Sequence, residues 1–227
     1  VVRAGGLTTD PILLYPYNLG APTSIASSAT GFTTLGHSPG ISNDGSVVVF
    51  YGVDSSGAAI FAGIETGGGA RQVTKIAGNR PVENILAAGG NDDGVFDPGE
   101  TPRDGELGFT ATGTPIIFSS FEPNSRVAVA HQSIAPGGLD NDTFVVSFIG
   151  TPNAASSAPQ YFSNQKGLWT IRVDVKNEGG ALRLKPSPAI PVIQVNDTLG
   201  TRTITDVQVY DPIANALTDD AGNSRTQ

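Results

Sequence analysis

The chain has 227 residues, with 13 Lys+Arg against 21 Asp+Glu for a formal charge of −8, 29 Gly, 16 Pro, two His and neither Cys nor Met. Without cysteine there is no disulfide framework, zinc–thiolate site, iron–sulfur cluster or thiol nucleophile, and two His cannot supply a three-His metal centre. The negative charge argues against a nucleic-acid footprint, and the Gly and Pro load is too high for a helical bundle, where each interior Gly costs about 1 kcal/mol and each Pro about 3.

With 38% apolar and only 15% charged residues, the chain is expected to fold rather than remain disordered. The longest apolar runs, such as residues 11–16 (Pro-Ile-Leu-Leu-Tyr-Pro), are far shorter than the roughly 20 residues of a membrane span. No signal peptide is visible, and the missing initiator Met suggests a processed chain or a fragment. Low Lys, abundant Ser, Thr and Gly, and the acidic balance suggest an extracellular or cell-surface setting, most simply a bacterial one.

Taken in chain order, residues 1–40 form an N-terminal segment with no strong pattern, open to belonging to the same domain as the repeat region, 41–227. Strands are predicted at 47–53, 58–64 and 71–77, rich in β-branched and aromatic residues. Turn residues bound them: Asn43-Asp-Gly45, Asp54-Ser-Ser-Gly57 and Gly67-Gly-Gly69. Further strands are predicted at 114–119, 126–131, 144–148, 168–175, 182–185, 190–195 and 203–210, with one helical turn at 211–217. No stretch holds a helical apolar stripe for three turns. The fold class is therefore all-β: a propeller, sandwich or barrel.

An internal repeat favours the propeller. Residues 41–50 align with 139–148 at an offset of 98, each with an Asn seven residues before a Phe and Val-rich residues between. A polar loop, a second strand (from Ile60 or Gly167), a Gly-rich turn and another strand follow in both. Residues 216–222 (Ala-Leu-Thr-Asp-Asp-Ala-Gly) are a weaker third echo. At about 45 residues per blade the chain could hold about five blades.

The run Ser42-Asn-Asp-Gly-Ser-Val-Val-Val-Phe50, then Ile60-Phe61, then Gly68-Gly-Ala-Arg-Gln-Val-Thr74, resembles one blade of the TolB-type, WD40-like β-propeller repeat. The Asn-to-Phe spacing is also similar to the tandem N-x-x-G-x-x-A-F repeats of bacterial secreted and surface-anchored proteins, and residues 197–206 are similar to the connector between such repeats. The resemblance is good over 41–77 and moderate over 138–190. It implies antiparallel, propeller-like repeats and an extracytoplasmic setting, but no reaction. In the second copy Thr143 stands where Gly45 supplies the turn, so a different turn geometry is expected there.

Residues 89–106 form an acidic insertion with six acids and one Arg. Within it, 89–100 (Gly-Gly-Asn-Asp-Asp-Gly-Val-Phe-Asp-Pro-Gly-Glu) fits the spacing of a twelve-residue EF-hand-like calcium loop. Asn91 falls at position 3, Asp93 at 5, Gly94 at 6, Val95 at 7 through its carbonyl, Asp97 at 9 and Glu100 at 12. Ca2+ takes six to eight hard oxygens, the glycine allows the sharp turn and the terminal Glu binds through both oxygens. Gly89 replaces the usual first Asp, so Asp104, Glu106 or water would have to complete the site. The plainer alternative is a solvated acidic turn.

Other polar positions carry weaker signals. Asp140-Asn-Asp142 and Asp219-Asp220 read as repeat turns, although Asn141-Asp-Thr143 and Asn196-Asp-Thr198 also match a glycosylation sequon. His37 and His131 each precede a repeat unit, which suggests similar structural roles over a base or ligand pair. No G-x-S-x-G elbow occurs, and no G-K-[ST] follows Gly67-Gly-Gly69. Trp169 is either a buried blade residue or, with Tyr15 and Tyr17, part of a carbohydrate-stacking surface.

These features predict a non-catalytic, calcium-stabilised, secreted or surface module for protein interaction or self-assembly, through strand edges left open by an incomplete ring. The alternatives are a calcium-dependent propeller hydrolase of the lactonase or phosphoesterase type and a carbohydrate-binding module.

Overall fold

The fold is that of a computed structural model, which describes residues 2–3, 11–14, 21–67, 70–78, 107, 116–133, 141–156, 162–178, 181–187 and 189–209. Among the described residues, every regular element apart from one 3-10 turn at Ser28–Thr30 is a β-strand, and the sheets are antiparallel. The first sheet holds β1 (Val2–Arg3), β2 (Ile12–Leu14) and β3 (Thr23–Ala26). The second holds β4 (Thr34–Leu35), β5 (Gly40–Ile41), β6 (Val47–Asp54), β7 (Gly57–Gly67) and β8 (Ala70–Gly78). The third holds β9 (Phe118–Phe121), β10 (Ala128–Ser133), β11 (Thr143–Pro152), β12 (Gly167–Glu178), β13 (Ala181–Pro186) and β14 (Ile190–Gln194). A small hairpin of β15 (Thr198–Leu199) and β16 (Arg202–Thr203) follows.

The second and third sheets are four-stranded meanders whose first strand is divided, and in the third the last strand is divided as well. β4 and β5 pair with one edge of β6, at Leu35↔Gly52 and Gly40↔Val49, and so act as one strand broken at 36–39. β9 and β10 pair in the same way with β11, at Phe121↔Gly150 and Ala128↔Ser147. β13 and β14 divide the far edge of β12 between them. The turns follow from their residues. Between β6 and β7 the Asp54 carboxylate accepts from the backbone N of Ser56 at 2.8 Å, and Gly57 takes φ +119°. Such an Asx turn stands in for a backbone turn, and the positive φ needs no Cβ to be accommodated.

Alternation along β6 and β7 gives two apolar sides. Val47, Val49, Tyr51, Ile60, Ala62 and Ile64 share a core with Phe144, Val146, Phe148, Trp169, Ile171 and Val173 of the third sheet. Val48, Phe50, Ala59 and Phe61 share another with Ile12, Ile25, Ala26, Phe32 and Leu35. The second sheet therefore lies between the other two. Tyr51 and Phe121 rings meet at 6.3 Å across one interface, while a Cβ on Gly63 would sit 3.3 Å from Ile25 Cγ2 across the other.

Both meanders carry the same aromatic arrangement. In the second sheet Phe50 pairs with Phe61, and the Phe32 ring meets them edge-on at 5.5 and 4.9 Å. In the third, Phe148 pairs with Trp169, and the Phe118 ring meets them edge-on at 5.3 and 5.2 Å. Each Phe is followed two residues later by a glycine, Gly52 or Gly150, where a Cβ would come within 2.9 Å of Phe32 or 2.8 Å of Phe118. The aromatic side of the second sheet faces the first sheet, and the aromatic side of the third faces the opposite, aliphatic side of the second. The layers thus follow one another front to back.

Several expectations are corrected. The strand predicted at 203–210 is only the end of the β15–β16 hairpin, and 204–209 joins no sheet. Its polar groups go elsewhere: Ile204 N and O bond to Asp197 O and Asn196 N, Val207 N bonds to the Asp206 carboxylate, and Val209 O accepts from Arg126 N. The N-terminal segment, for which no strand was predicted, contributes five short strands, and its Thr34–Ile41 stretch pairs with β6. Before β11 the left-handed residue is Asn141 at φ +68°, not the Gly45-like position held by Thr143, which is already in the strand. The predicted helical turn at 211–217, the third echo at 216–222, Asp219, Asp220, Asp140, Thr114 and Pro115 lie outside the described residues.

Candidate functional site

The calcium-type residues Asn91, Asp93, Val95, Asp97 and Glu100, with the whole 89–106 insertion, lie outside the described residues, as do Tyr15 and Tyr17. Among the described residues there is no group of three or more His, Asp or Glu side chains placed to hold a metal ion.

The densest polar constellation lies at the seam between the second and third sheets, on the turn leading into β6. Asp44 Oδ1 accepts from Ser42 Oγ at 2.6 Å, Ser46 Oγ at 2.8 Å and Ser46 N at 3.1 Å. Ser42 Oγ in turn accepts from Val47 N at 3.0 Å. Burial pushes the Asp44 carboxyl up, but these hydrogen bonds and the neighbouring His131 outweigh it, so the group ends below the ordinary carboxylate value. Arg71 comes from β8 and closes the turn from below. Its Nη2 donates to Gly45 O at 2.7 Å, and its Nη1 donates to Ser46 O at 2.8 Å and Gly63 O at 3.4 Å. Burial draws the guanidinium pKa down, opposed by Glu65 at 3.7 Å and by Asp44.

His131 enters this constellation from β10, with Nε2 at 3.4 Å from Ser46 Oγ and 3.7 Å from Asp44 Oδ1. Ser, His and Asp are together, but they do not form a proton relay. A relay needs the hydroxyl on one ring nitrogen and the carboxylate on the other. Here both approach Nε2, and Nδ1 is buried with no hydrogen-bond partner among the described residues. The group ties two sheets together. The same seam is closed nearby by Val127 N to Ser38 O and His37 N to Pro123 O, both at 3.2 Å. His37 lies in the break between β4 and β5 while His131 lies within β10, so the two do not hold matching positions.

Trp169 is fully buried, its Nε1 donates to Gly150 O at 3.0 Å, and Phe118 and Phe162 flank its ring. It cannot stack on a sugar, which removes it from the carbohydrate surface considered above. Asn141 and Asn196 head the two Asn-Asp-Thr turns and are, among the described residues, the two non-glycine positions with left-handed backbone, at φ +68° and +75°. Their common role is a turn conformation that Asn tolerates better than other side chains.

A second charged region covers the outer side of the third sheet. Arg172, Asp174 and Lys176 alternate along β12, and register places Lys185 opposite Asp174 and Arg183 opposite Lys176. Asp174 Oδ1 accepts from Arg172 Nε at 3.1 Å and from Thr143 Oγ1 at 2.7 Å, and Lys176 Nζ donates to Asn141 Oδ1 at 3.0 Å. At the other end of this sheet Lys166 lies 2.8 Å from Asp206 and 3.5 Å from Glu122. The hydrogen bond to Asp206 raises the Lys166 pKa, and the same bond lowers that of Asp206.

Sequence reasoning did not single out Arg71, the Ser42–Asp44–Ser46 constellation or this charged side. Arg71 stands two residues after a Gly run, in a strand of otherwise ordinary alternation, and nothing local shows that it reaches back to the 45–46 carbonyls. The period-two placement of Arg172, Asp174 and Lys176 was a readable signal of one sheet face. No family model, no curated protein and no solved structure matches this chain.

Proposed function

We propose that this chain is a non-catalytic interaction or assembly module, built of propeller-like repeats and working outside the cytoplasm with Ca2+ as a stabilising ion. The observation that carries the reading is the pair of antiparallel meanders, each with a divided first strand, an edge-on aromatic triad and front-to-back packing. Two units that stack in one sense make a repeat architecture, and such architectures serve widely as interaction scaffolds. The Ser–His–Asp constellation supports a structural role, because its geometry clamps a turn and a seam. The calcium part rests on the spacing of Asn91, Asp93, Val95, Asp97 and Glu100 alone. No helix among the described residues is long and apolar enough to cross a membrane.

Two measurements test the reading. Thermal melting with millimolar CaCl2 and with EDTA should give a higher midpoint with calcium, and an unchanged midpoint overturns the calcium part. Size exclusion with light scattering, at concentrations up to tens of micromolar, should show self-association. A strictly monomeric species overturns self-assembly and leaves a different protein as the only partner.

A further inference from the structure

The Asn-Asp-Thr triplet occurs twice, and the fold treats the two copies differently. At 141–143 the polar atoms are spent internally. Asn141 Oδ1 accepts from Lys176 Nζ at 3.0 Å, and Thr143 Oγ1 donates to Asp174 Oδ1 at 2.7 Å. Thr143 is buried, in a strand paired on both sides, opposite Ser133 and Asp174.

At 196–198 the backbone and Asp197 hold the turn without the other two side chains. Asn196 N donates to Ile204 O and Ile204 N to Asp197 O, both at 2.8 Å, while Asp197 Oδ2 accepts from Gln194 N at 2.7 Å. Asn196 and Thr198 are both exposed. Among the described residues, neither the Asn196 amide nor the Thr198 hydroxyl has a hydrogen-bond partner. The β15–β16 hairpin pairs with no other described strand. A Cβ built on Gly200, at φ +63°, would meet no atom within 4 Å, so the tip of this hairpin stands in open space.

We propose that Asn196 is an acceptor for N-linked sugar in the folded chain and that Asn141 is not. A sequon is read through two groups, the Asn amide and the Ser or Thr hydroxyl two residues on, so both must be free at once. Of the two triplets, 196–198 offers that pair and 141–143 does not. In the transfer, Asn196 Nδ2 bonds to C1 of a sugar activated as a nucleoside diphosphate or lipid diphosphate. The C1–O bond to phosphate breaks, the diphosphate leaves with the electron pair, and the amide proton passes to a carboxylate of the transferase. The inference depends on the geometry of two turns and stands apart from the interaction-module reading.

The test incubates the folded chain with a soluble, sequon-specific N-glycosyltransferase and UDP-glucose, and maps the hexose by peptide mass spectrometry. One hexose per chain is expected, on Asn196, with labelling of Asn141 at least about tenfold lower because it waits on local opening of β11. Synthetic peptides of residues 138–146 and 193–201 should both be labelled, since each contains the triplet without the fold. T198A should abolish labelling of Asn196 and T198S should keep it, whereas N141Q should leave it unchanged. T198A does not touch the left-handed position, and circular dichroism checks that it stays folded. Absence of hexose on Asn196 overturns the proposal, on access if the 193–201 peptide takes the sugar and on the triplet itself if it does not. Comparable labelling of Asn141 and Asn196 in the folded chain, or an unlabelled 138–146 peptide, overturns the fold as the source of the selectivity.

Discussion

Gly150→Ala and Gly52→Ala are twin perturbations of the two aromatic triads. A Cβ at position 150 would lie 2.8 Å from Phe118 Cδ1 and 3.0 Å from Cε1; at 52 it would lie 2.9 Å from the corresponding Phe32 carbons. Ordinary carbon contacts are about 3.5–4.0 Å, so each ring must retreat by roughly 0.7–1 Å. Phe118 has no room: it is fully buried, with Phe148, Trp169 and Phe121 all within 5.3 Å between ring centroids. Overpacking of this kind costs about 1–3 kcal/mol, against about 0.4–1 kcal/mol gained by stiffening the unfolded chain. A net loss of about 1–2 kcal/mol lowers the melting midpoint of a chain this long by about 2–8 °C. Urea unfolding followed by the fluorescence of Trp169, the one tryptophan, reads the site directly because its Nε1 is bonded to Gly150 O. Gly63→Ala, with its nearest neighbour at 3.3 Å, is the milder control. If Gly150→Ala is neutral, or if the twin substitutions differ by more than about 2 kcal/mol, the steric reasoning and the equivalence of the triads both fail.

Three further outcomes are expected. Arg71→Met keeps the buried stem but leaves the Gly45 and Ser46 carbonyls without their charged donor; chemical denaturation should show a loss of about 2–3 kcal/mol. Asn141→Gly and Asn196→Gly should be close to neutral, whereas the Ala substitutions should each cost about 1 kcal/mol because only Gly or Asn tolerates these φ values well. The depressed pKa of Asp44 makes its contribution full above the ordinary carboxylate value of 3.8 and lost as pH falls through the lower folded value. Melting scans from neutral pH to about pH 2 should therefore fall more steeply in the wild type than in Asp44→Ala, and parallel curves would refute that assignment.

The long central strands were legible because their β-branched and aromatic runs are bounded by Asn, Asp and Gly turns whose chemistry is local. Phe50 and Phe148 stand out in the sequence, and each lies in the second strand of a meander, paired with Phe61 or Trp169. The short strands of residues 1–40 were not legible. Val2–Arg3, Thr34–Leu35 and Gly40–Ile41 are too brief to show a period, and their pairing is decided by the neighbouring strand. The stretch 203–210 alternates like a strand but finds its hydrogen bonds in turns and side chains. Arg71 and His131 act across 25 and 85 residues of sequence, on Gly45 or Ser46, and no local pattern reports such reach. The sequon-like Asn-Asp-Thr triplets had a conformational meaning, visible once the φ angles were known.

The second sheet has no wet side. Val47 through Phe50 are fully buried in sequence, odd positions against one neighbour and even positions against the other. Such a sheet cannot persist once either neighbour has gone, since each departure strips water-excluding cover from a whole apolar surface. Unfolding should therefore be concerted, with hydrogen-exchange protection in β6 and β7 tracking global stability rather than any local opening. A fragment cut between the second and third sheets would expose Val47, Val49, Ile60 and Ile64 as one continuous aggregation-prone surface.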